Sequence, residues 1–150
     1  MIDEEGVEAG SVTMKPANGT GVRIELDIEG LSPGMHAVHL HSRGRCQPPG
    51  FFSAGGHFDP AGSRHGKPDG DADFDDPAHH AGDMLNQRAD QEGAMKAVIV
   101  NQSVSLVDGG NELLDEDGSA LVVYATADDY VTQPSGRAGR RIACAELTAR

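Results

Sequence analysis

One segment of the sequence alternates strictly between apolar and charged side chains: GVRIELDIEG, residues 21–30. Its apolar members are Val22, Ile24, Leu26 and Ile28. Because successive side chains of a strand point to opposite faces, this pattern predicts a strand with one buried face and one solvent-exposed face. The preceding segment GSVTMKP, residues 10–16, predicts a partner strand that is joined to it by the ANGTG turn, so we expect a β-hairpin here.

Further strand-like segments occur later in the chain and are separated by turn sequences such as DGGN and DEDGS. They are AMKAVIV, QSVSLVD, ALVVYAT and RIACAEL. The chain has 20 glycines, no tryptophan and 4% aromatic residues, a composition that suits tight turns and disfavours a helical bundle. We therefore predict an all-β protein, a single domain over residues 1–150, built as a Greek-key antiparallel β-barrel or sandwich of about eight strands.

The middle of the chain, residues 43–91, has no sustained periodicity and is rich in Gly, Pro, Asp and His. A structureless loop of this length is uncommon in a compact domain unless it is functional or held in place by other groups. Five of the seven histidines and one cysteine lie in it or beside it. We therefore predict a long metal-binding loop that a disulfide holds in place.

The net charge of -12 argues against two classes of partner. Nucleic-acid phosphates and anionic membrane surfaces both select clustered Lys and Arg. No apolar segment approaches the roughly 18 residues of a membrane-spanning helix. The first ten residues, MIDEEGVEAG, are acidic where a signal peptide would be basic and then apolar. We therefore expect no nucleic-acid partner and no membrane span, in a protein that is either cytoplasmic or has lost a leader.

Cys46 and Cys144 are the only pair of cysteines in the chain. If they were joined, the bridge would close a loop of about 100 residues and contribute roughly 4–5 kcal/mol to stability in the chain-entropy model. Such a bridge favours an oxidising compartment, so we expect a periplasmic or extracellular location ahead of a cytoplasmic one.

The histidines of the chain occur in positions that suit metal binding. In GMHAVHLHSRGRC, residues 34–46, His39 and His41 are two apart, so in a strand they share one face while His36 points to the other. Further along, three histidines and an aspartate supply the ligand set of a closed tetrahedral zinc site: His57, His65, His80 and Asp83. A histidine-rich set also suits copper.

Several segments together resemble the copper–zinc superoxide dismutase family. They are GMHAVHLH, GRC, SAGGHFDP, HHAGDMLN, LLDEDGSALVVY, ADDY and AGRRIAC, in the order and spacing of that family. The resemblance extends from about Val7 to Leu147, and GRCQPPGFFSAGGHFDP and the short DDYVTQPSG loop are most similar to the bacterial branch. It implies an antioxidant oxidoreductase that acts on superoxide, with copper and zinc as cofactors and a homodimer as one form of assembly.

The resemblance implies two sets of metal ligands. Copper would be held by His39, His41 and His57. Zinc would be held by His57, His65, His80 and Asp83, so that His57 bridges the two metals as an imidazolate. Of the adjacent histidines, the family's three-residue spacing to the aspartate selects His80, and we expect His79 to be exposed.

The resemblance also implies supporting contacts around the metals. His36 would hydrogen-bond backbone groups behind the site rather than bind metal. Asp128 would link His41 to His65 and fix the orientation of both rings.

Further roles that the resemblance implies concern catalysis and the disulfide. Arg141 would draw the superoxide anion towards copper. His57 would take part in catalysis because its bond to copper breaks and re-forms with proton transfer. Cys46 and Cys144 would form the family's intrasubunit disulfide, which anchors the long loop to the last strand.

The sequence departs from the family at the fourth copper ligand, a histidine at the end of the strand LVVY, where it has Tyr124. No histidine lies downstream of His80, so no shift of the alignment restores the ligand. A neutral phenol is a poor ligand because the unperturbed pKa of tyrosine is about 10, and a phenolate would disfavour Cu(I). We therefore predict that zinc binds, and that copper binds weakly or not at all.

Three functions are compatible with these residues. The first is a superoxide dismutase-family zinc-binding metalloprotein with an incomplete copper site and weak or absent dismutation. The second is an active Cu/Zn superoxide dismutase that uses Tyr124 or only three histidines at copper, and the retention of Asp128 and Arg141 supports it. The third is a non-enzymatic metal-handling or binding module.

Two other features leave alternatives open. The segment KPDGDADFDDPAH between His65 and His80 is longer than usual for the family and strongly acidic. We expect a solvated loop there, with an accessory cation site within residues 67–78 as the alternative. Arg137 and Arg140 either add to the local field that focuses an anion into the site or serve solubility and the dimer surface.

Overall fold

The computed structural model of the protein describes residues 1–68 and 79–149. In these residues the strands are β1 (Ile2–Asp3), β2 (Gly10–Pro16), β3 (Val22–Ile28), β4 (Gly34–His36), β5 (Val38–His41), β6 (Gln87–Ala89), β7 (Met95–Asn101), β8 (Ser119–Tyr124) and β9 (Arg141–Leu147). One short 3₁₀ helix, Phe52–Ala54, lies in the middle of the described chain. Neither described range contains a helix that is long and apolar enough to cross a bilayer. The all-β prediction is confirmed.

The strands pair antiparallel in three sheets. Their orders are β1-β9-β8-β5, β2-β3-β7 and β4-β6. Strands far apart in sequence are neighbours in the first two sheets, since β5 pairs with β8 and β3 pairs with β7. The sheets do not close into a barrel among the described residues, so the fold is the sandwich form of the predicted architecture.

The alternating segment that predicts a half-buried strand forms β3. It pairs with β2 from Gly10↔Ile28 to Pro16↔Val22, which confirms the predicted hairpin. Its apolar side chains are all buried and belong to a core cluster that also contains Leu40 of β5 and Leu121 of β8. Burying one such side chain contributes about 1.5–3 kcal/mol, so this face accounts for the position of the hairpin against the other sheet.

The prediction of a strand over QSVSLVD, residues 102–108, is wrong. This segment forms only an isolated bridge from Ser105 to Glu112. Gly109 and Gly110 have positive φ angles of 118° and 82°, and the chain turns back at once. Val104 is only 3% exposed, so the apolar pattern reflects burial of an irregular loop rather than a strand.

A disulfide between Cys46 and Cys144 joins the long middle segment to β9. The two Cα atoms are 5.7 Å apart and the cysteines are 98 residues apart in sequence. Cys144 also pairs with Ile2 of β1, and Ile2 packs against the apolar cluster that contains both cysteines. The predicted pairing is therefore confirmed, and it attaches the start of the middle segment to the sheet that contains β5 and β8.

We expect the double substitution of Cys46→Ser and Cys144→Ser to lower the free energy of unfolding by about 2–5 kcal/mol, because the unfolded chain regains the freedom of a long loop. Urea unfolding followed by circular dichroism measures the loss. Reduction of the wild-type protein should reproduce it. An unchanged unfolding midpoint in both samples would contradict a stabilising role for the bridge.

Candidate metal centre

The two histidines of β5 lie side by side against the ring of His57. Both are fully buried. The ring centroid of His57 is 4.2 Å from that of His39 and 5.1 Å from that of His41. His57 follows the 3₁₀ helix and forms an isolated bridge with His41. The shared face that the strand alternation predicts therefore points towards the middle segment, where the other histidines lie.

Four side chains of a kind that zinc favours converge beside His39: His57, His65, His80 and Asp83. One donor atom from each lies within 4.8 Å of every other. The Oδ1 atom of Asp83 is 2.8 Å from His57 Nδ1, 3.0 Å from His65 Nδ1 and 3.4 Å from His80 Nδ1. Four donors bound tetrahedrally to zinc at about 2.0–2.1 Å are about 3.3 Å apart, so these groups can accept zinc with little movement.

The Asp83 carboxylate is oriented by backbone groups. Its Oδ2 atom accepts hydrogen bonds from the amides of Gly66, at 3.1 Å, and His80, at 3.0 Å. The Oδ1 atom is thereby left facing the imidazoles. Burial acts to raise the pKa of this carboxyl, but hydrogen bonds with the surrounding histidines, His57 foremost, lower it far below its ordinary value. Asp83 is therefore an ionised, fixed oxygen donor.

Two carboxylates control the charge of His65. Its Nε2 atom is 2.8 Å from Asp128 Oδ1 and its Nδ1 atom is 3.0 Å from Asp83 Oδ1. Burial alone would lower the pKa of this imidazole, but the hydrogen bonds to Asp128 and Asp83 outweigh it and raise the pKa to about 9. In the metal-free protein His65 is therefore protonated at neutral pH, and zinc must displace a proton to bind there.

Tyr124 lies on the other side of His57. Its hydroxyl is 2.8 Å from His41 Nε2 and 3.4 Å from His57 Nε2, within hydrogen-bond distance of both. The side chain is 3% exposed. Burial raises the pKa of this phenol to about 12, although the Arg141 charge opposes the shift. A neutral hydroxyl thus lies between the two Nε2 atoms that the resemblance assigns to copper.

Within residues 1–68 and 79–149, neither ring nitrogen of His39 makes a hydrogen bond, although both are buried. Nε2 lies at an ion-pair distance of 3.0 Å from Asp128 Oδ2, and Nδ1 is 3.9 Å from Asp83 Oδ1. Buried polar atoms usually have partners, so an unpaired nitrogen in a cluster of imidazoles is typical of a metal ligand.

The prediction that Asp128 links His41 to His65 is correct for His65 and wrong for His41. Asp128 Oδ2 is 3.0 Å from Nε2 of His39, not of His41. His41 instead uses its Nδ1 atom to contact the Gly55 carbonyl oxygen at 2.9 Å. The strand register explains this difference.

Asp128 follows the end of β8. In the antiparallel β5–β8 pair, His39 is opposite Val122 and His41 is opposite Ala120. His41 is thus about 7 Å further from the end of β8 that leads to Asp128. The carboxylate therefore reaches the nearer histidine.

Asn86 supports Asp128 and had no signal in the sequence. Its side-chain amide donates to the Asp128 carbonyl oxygen at 3.0 Å, and its side-chain oxygen accepts from the Asp128 amide at 2.8 Å. The amide of Tyr130 donates to Asp128 Oδ1 at 2.7 Å. These contacts fix the backbone and the carboxylate of Asp128, and the two contacts of Asn86 join residues 42 apart along the chain.

Two further histidines lie outside the cluster. The ring nitrogens of His36 are each 2.7 Å from a carbonyl oxygen, those of Tyr124 and Ser32, which are the backbone contacts that the resemblance implies. The Nδ1 atom of His79 lies 2.7 Å from the carbonyl oxygen of His80. His79 is half-buried rather than exposed as expected, because this contact holds its ring against the chain.

The arginines predicted at the site differ in their contacts. Arg141 donates from Nη1 to the Phe51 carbonyl oxygen at 2.9 Å, and its guanidinium lies 5.6 Å from the centre of the Phe52 ring. Burial lowers the pKa of His41 well below its ordinary value, and the charges of His57 and Arg141 act in the same direction. Arg140 instead pairs with Glu4 at 3.0 Å, which offsets its charge.

The acidic insertion lies almost entirely outside the described residues. Residues 69–78 belong to the part of the chain that the structure does not describe. The predicted solvated loop and its alternative, a cation site within residues 67–78, both concern those residues.

We expect the metal-free protein to be most stable near about pH 6.5. Above that pH the folded protein keeps a proton on His65, whose pKa is about 9, after the unfolded chain has lost it at about 6.5, so stability falls as the pH rises towards 9. Below about pH 6.5 the unfolded chain takes up the extra proton, because burial lowers the pKa of His57 to about 4.

Urea unfolding of chelator-treated protein at several pH values from about 4 to 9 measures this profile. The variant His65→Gln should lose the decline on the alkaline side. Stability that stays constant or increases from about pH 6.5 to 9 would contradict the assignment.

Comparison with known proteins agrees with this geometry. A family model described as copper/zinc superoxide dismutase (SODC) matches residues 8–147. The chain is 42% identical over 148 residues to Cu-Zn superoxide dismutase 2 of Aquifex aeolicus, covering 96% of this chain and 81% of that protein. It is 36% identical over 150 residues to the superoxide dismutase-like protein YojM of Bacillus subtilis, covering 98% of this chain and 73% of that protein.

Solved structures show the same fold. A SOD-like protein from Bacillus subtilis matches with a TM-score of 0.88 at 36% identity, covering 97% of this chain and 94% of that one. A double variant of such a protein, with a Tyr-to-His and a Pro-to-His substitution, matches with a TM-score of 0.89 at 37% identity, covering 99% and 94%. The Cu/Zn superoxide dismutase from Brucella abortus matches with a TM-score of 0.75 at 28% identity, covering 95% and 90%. The chain belongs to the copper/zinc superoxide dismutase family.

Proposed function

We propose that this protein is a zinc-binding member of the family with an incomplete copper site, in which superoxide dismutation is weak or absent. The observation that carries the proposal is the position of the Tyr124 hydroxyl, 2.8 Å from His41 Nε2 and 3.4 Å from His57 Nε2. A metal held by those two nitrogens would have to occupy the space that this hydroxyl occupies.

The zinc part of the proposal is supported by the donor set. Three imidazole nitrogens and one ionised carboxylate oxygen surround one point, all from the middle segment of the chain. This set suits a closed structural zinc site, with no position left open for substrate. Zinc binding would join Asp83 and its neighbour His80 to the more distant His57 and His65, and so order a segment that has few strands of its own.

The copper part of the proposal follows from protonation as well as space. Metal–nitrogen bonds are about 2 Å long, so a metal between the two Nε2 atoms would contact the phenol oxygen directly. Such contact requires a phenolate. In the metal-free protein, burial raises the pKa of Tyr124 to about 12, so copper would have to displace a proton from an oxygen that lies within hydrogen-bond distance of both imidazoles.

When copper is bound in this family, it supplies the alternation between Cu(II) and Cu(I) that dismutation requires. The residues retained here act around that position. Arg141 contributes positive charge near His41, and Asp128 holds His39 and His65 in place through contacts at 3.0 Å and 2.8 Å. Without bound copper, these groups can position an anion and a proton but provide no electron acceptor.

A second candidate is an active dismutase with an altered copper site. The buried Nδ1 atom of His39 favours it, because it has no hydrogen-bond partner in the described parts of the chain and would gain one bond by ligating copper. Three histidines, His39, His41 and His57, would then hold the metal, with Tyr124 as a phenolate ligand or displaced.

The disulfide supports an oxidising location. Cys46 and Cys144 are joined, and reducing compartments of mesophilic cells disfavour such bridges. We infer a periplasmic or extracellular protein, in which zinc and the disulfide both stabilise the long middle segment.

We expect the wild-type protein, after loading with both metals and removal of excess, to retain one zinc per chain and little copper. The variant Tyr124→His should raise copper affinity at least about 100-fold and should gain dismutase activity. This gain is at least as large as the effect of losing a residue that only supports a ligand, because the variant restores a ligand itself. Elemental analysis and a superoxide assay measure both. Tyr124→Phe is the matched control, since it removes the hydroxyl without adding a ligand. Full activity and stoichiometric copper in the wild-type protein would refute the proposal.

The second candidate is tested by the visible spectrum of copper-loaded wild-type protein. We expect no intense phenolate-to-Cu(II) charge-transfer band, because burial raises the pKa of Tyr124 to about 12 in the metal-free protein and copper would have to displace that proton to form a phenolate. A strong band that is lost in Tyr124→Phe would instead establish ligation by Tyr124. Copper-dependent activity without that band would favour a three-histidine site.

A further inference from the structure

The loop that follows Asp128 packs against His65 at two points. It extends over residues 129–136 and is closed by two backbone hydrogen bonds of its own. Gly136 donates to the Thr132 carbonyl oxygen at 2.7 Å, and Asp129 donates to the Gly136 carbonyl oxygen at 2.9 Å. The loop is thus a compact unit that can hold another segment in a fixed position.

The first contact is a pair of hydrogen bonds from one side chain. The Oε1 atom of Gln133 accepts from the His65 amide at 2.8 Å, and its Nε2 atom donates to the His65 carbonyl oxygen at 2.8 Å. The Gln133 amide therefore pairs with the His65 backbone much as a neighbouring strand would. Both the position and the direction of the His65 backbone are fixed, although this residue lies in no strand.

The second contact involves Gly136. An ideal Cβ on this residue would lie 1.7 Å from Asp128 Oδ1 and 2.8 Å from His65 Nε2, and its φ angle is +71°. Only a residue without a side chain can therefore lie over the hydrogen bond between Asp128 and His65. Gly136 is itself buried and shields the Asp128–His65 hydrogen bond from water. Exclusion of water strengthens this bond because both of its partners are charged.

The two contacts together leave His65 one orientation. Gln133 holds its backbone, and Asp128 under Gly136 holds its Nε2 atom. The remaining Nδ1 atom faces Asp83 Oδ1 at 3.0 Å, in the ligand cluster. We propose that Gln133 and Gly136 are positioning residues of the zinc site, which fix His65 in its ligating orientation before zinc binds. This inference rests on the proposed function, namely that the cluster binds zinc.

The test uses the full chain with Gln133→Ala and, separately, Gly136→Ala. Zinc affinity is measured by competition with a chelator, and Co²⁺ serves as a spectroscopic probe of the same site. Loss of an outer-shell partner typically weakens metal binding about 10–100-fold, and we expect a loss of this size from each variant. The visible d–d bands of bound Co²⁺ should also shift or weaken, because the geometry of the His65 ligand is relaxed.

Matched controls separate positioning from general stability. Gly139 also has a positive φ angle, +81°, but its ideal Cβ would meet nothing closer than 3.6 Å. Gly139→Ala therefore adds the same backbone strain without the clash and should keep zinc affinity close to that of the wild type. Gln133→Glu keeps an acceptor for the His65 amide but places a carboxylate oxygen against the His65 carbonyl oxygen, so it should also lower zinc affinity. Gln91→Ala, in an exposed turn, is the neutral control.

The outcomes distinguish a failure of zinc binding from a failure of the positioning role. If the wild-type protein binds no zinc, the proposed function fails. If the wild-type protein binds zinc and Gln133→Ala changes neither the affinity, within about twofold, nor the Co²⁺ spectrum, the positioning role is refuted while the zinc site stands. Gln133 is exposed, so we expect Gln133→Ala to fold. This variant therefore tests the positioning role even if Gly136→Ala does not fold. A variant that lowers metal-free stability but leaves affinity and spectrum unchanged also refutes the positioning role.

Discussion

The imidazole of His57 connects the two halves of the centre. Its Nδ1 atom is 2.8 Å from Asp83 Oδ1, in the cluster supplied by the middle segment. Its Nε2 atom is 3.4 Å from the Tyr124 hydroxyl, at the end of β8. The ring also packs against both histidines of β5. The His57 ring is therefore the side chain that contacts both halves of the centre, next to the backbone hydrogen bonds that join β5 to the long irregular segment.

The two halves respond differently to the presence of Tyr124. On the side of Asp83, the donors are oriented by backbone amides and by Asp128, none of which involves the tyrosine. On the other side, a protonated phenol hydrogen-bonds His41 and lies within reach of His57. The hydroxyl of Tyr124 contacts the histidines on its own side, so the replacement of one ligand leaves the contacts among His65, His80 and Asp83 in place.

The middle segment is held by specific links rather than by a core of its own. The disulfide joins it to β9, and Gln133 pairs with the His65 backbone. Asn86 fixes Asp128, which in turn holds His39 and His65. Each link joins residues distant in sequence, so the ligands occupy defined positions although few of them lie in strands. This explains how a segment without periodicity can present a precise set of donors.

The sequence by itself determined the alternating strand of residues 22–28, the cysteine pair, the four members of the ligand cluster and the replacement of a histidine by Tyr124. These features depend on residue type and local spacing. Only the tertiary structure decided that Asp128 contacts His39, that Gln133 and Asn86 support the cluster, and that residues 102–108 form a loop. The physical reason is that such contacts depend on strand register and on the path of loops between residues 40 to 90 positions apart, about which local spacing carries no information.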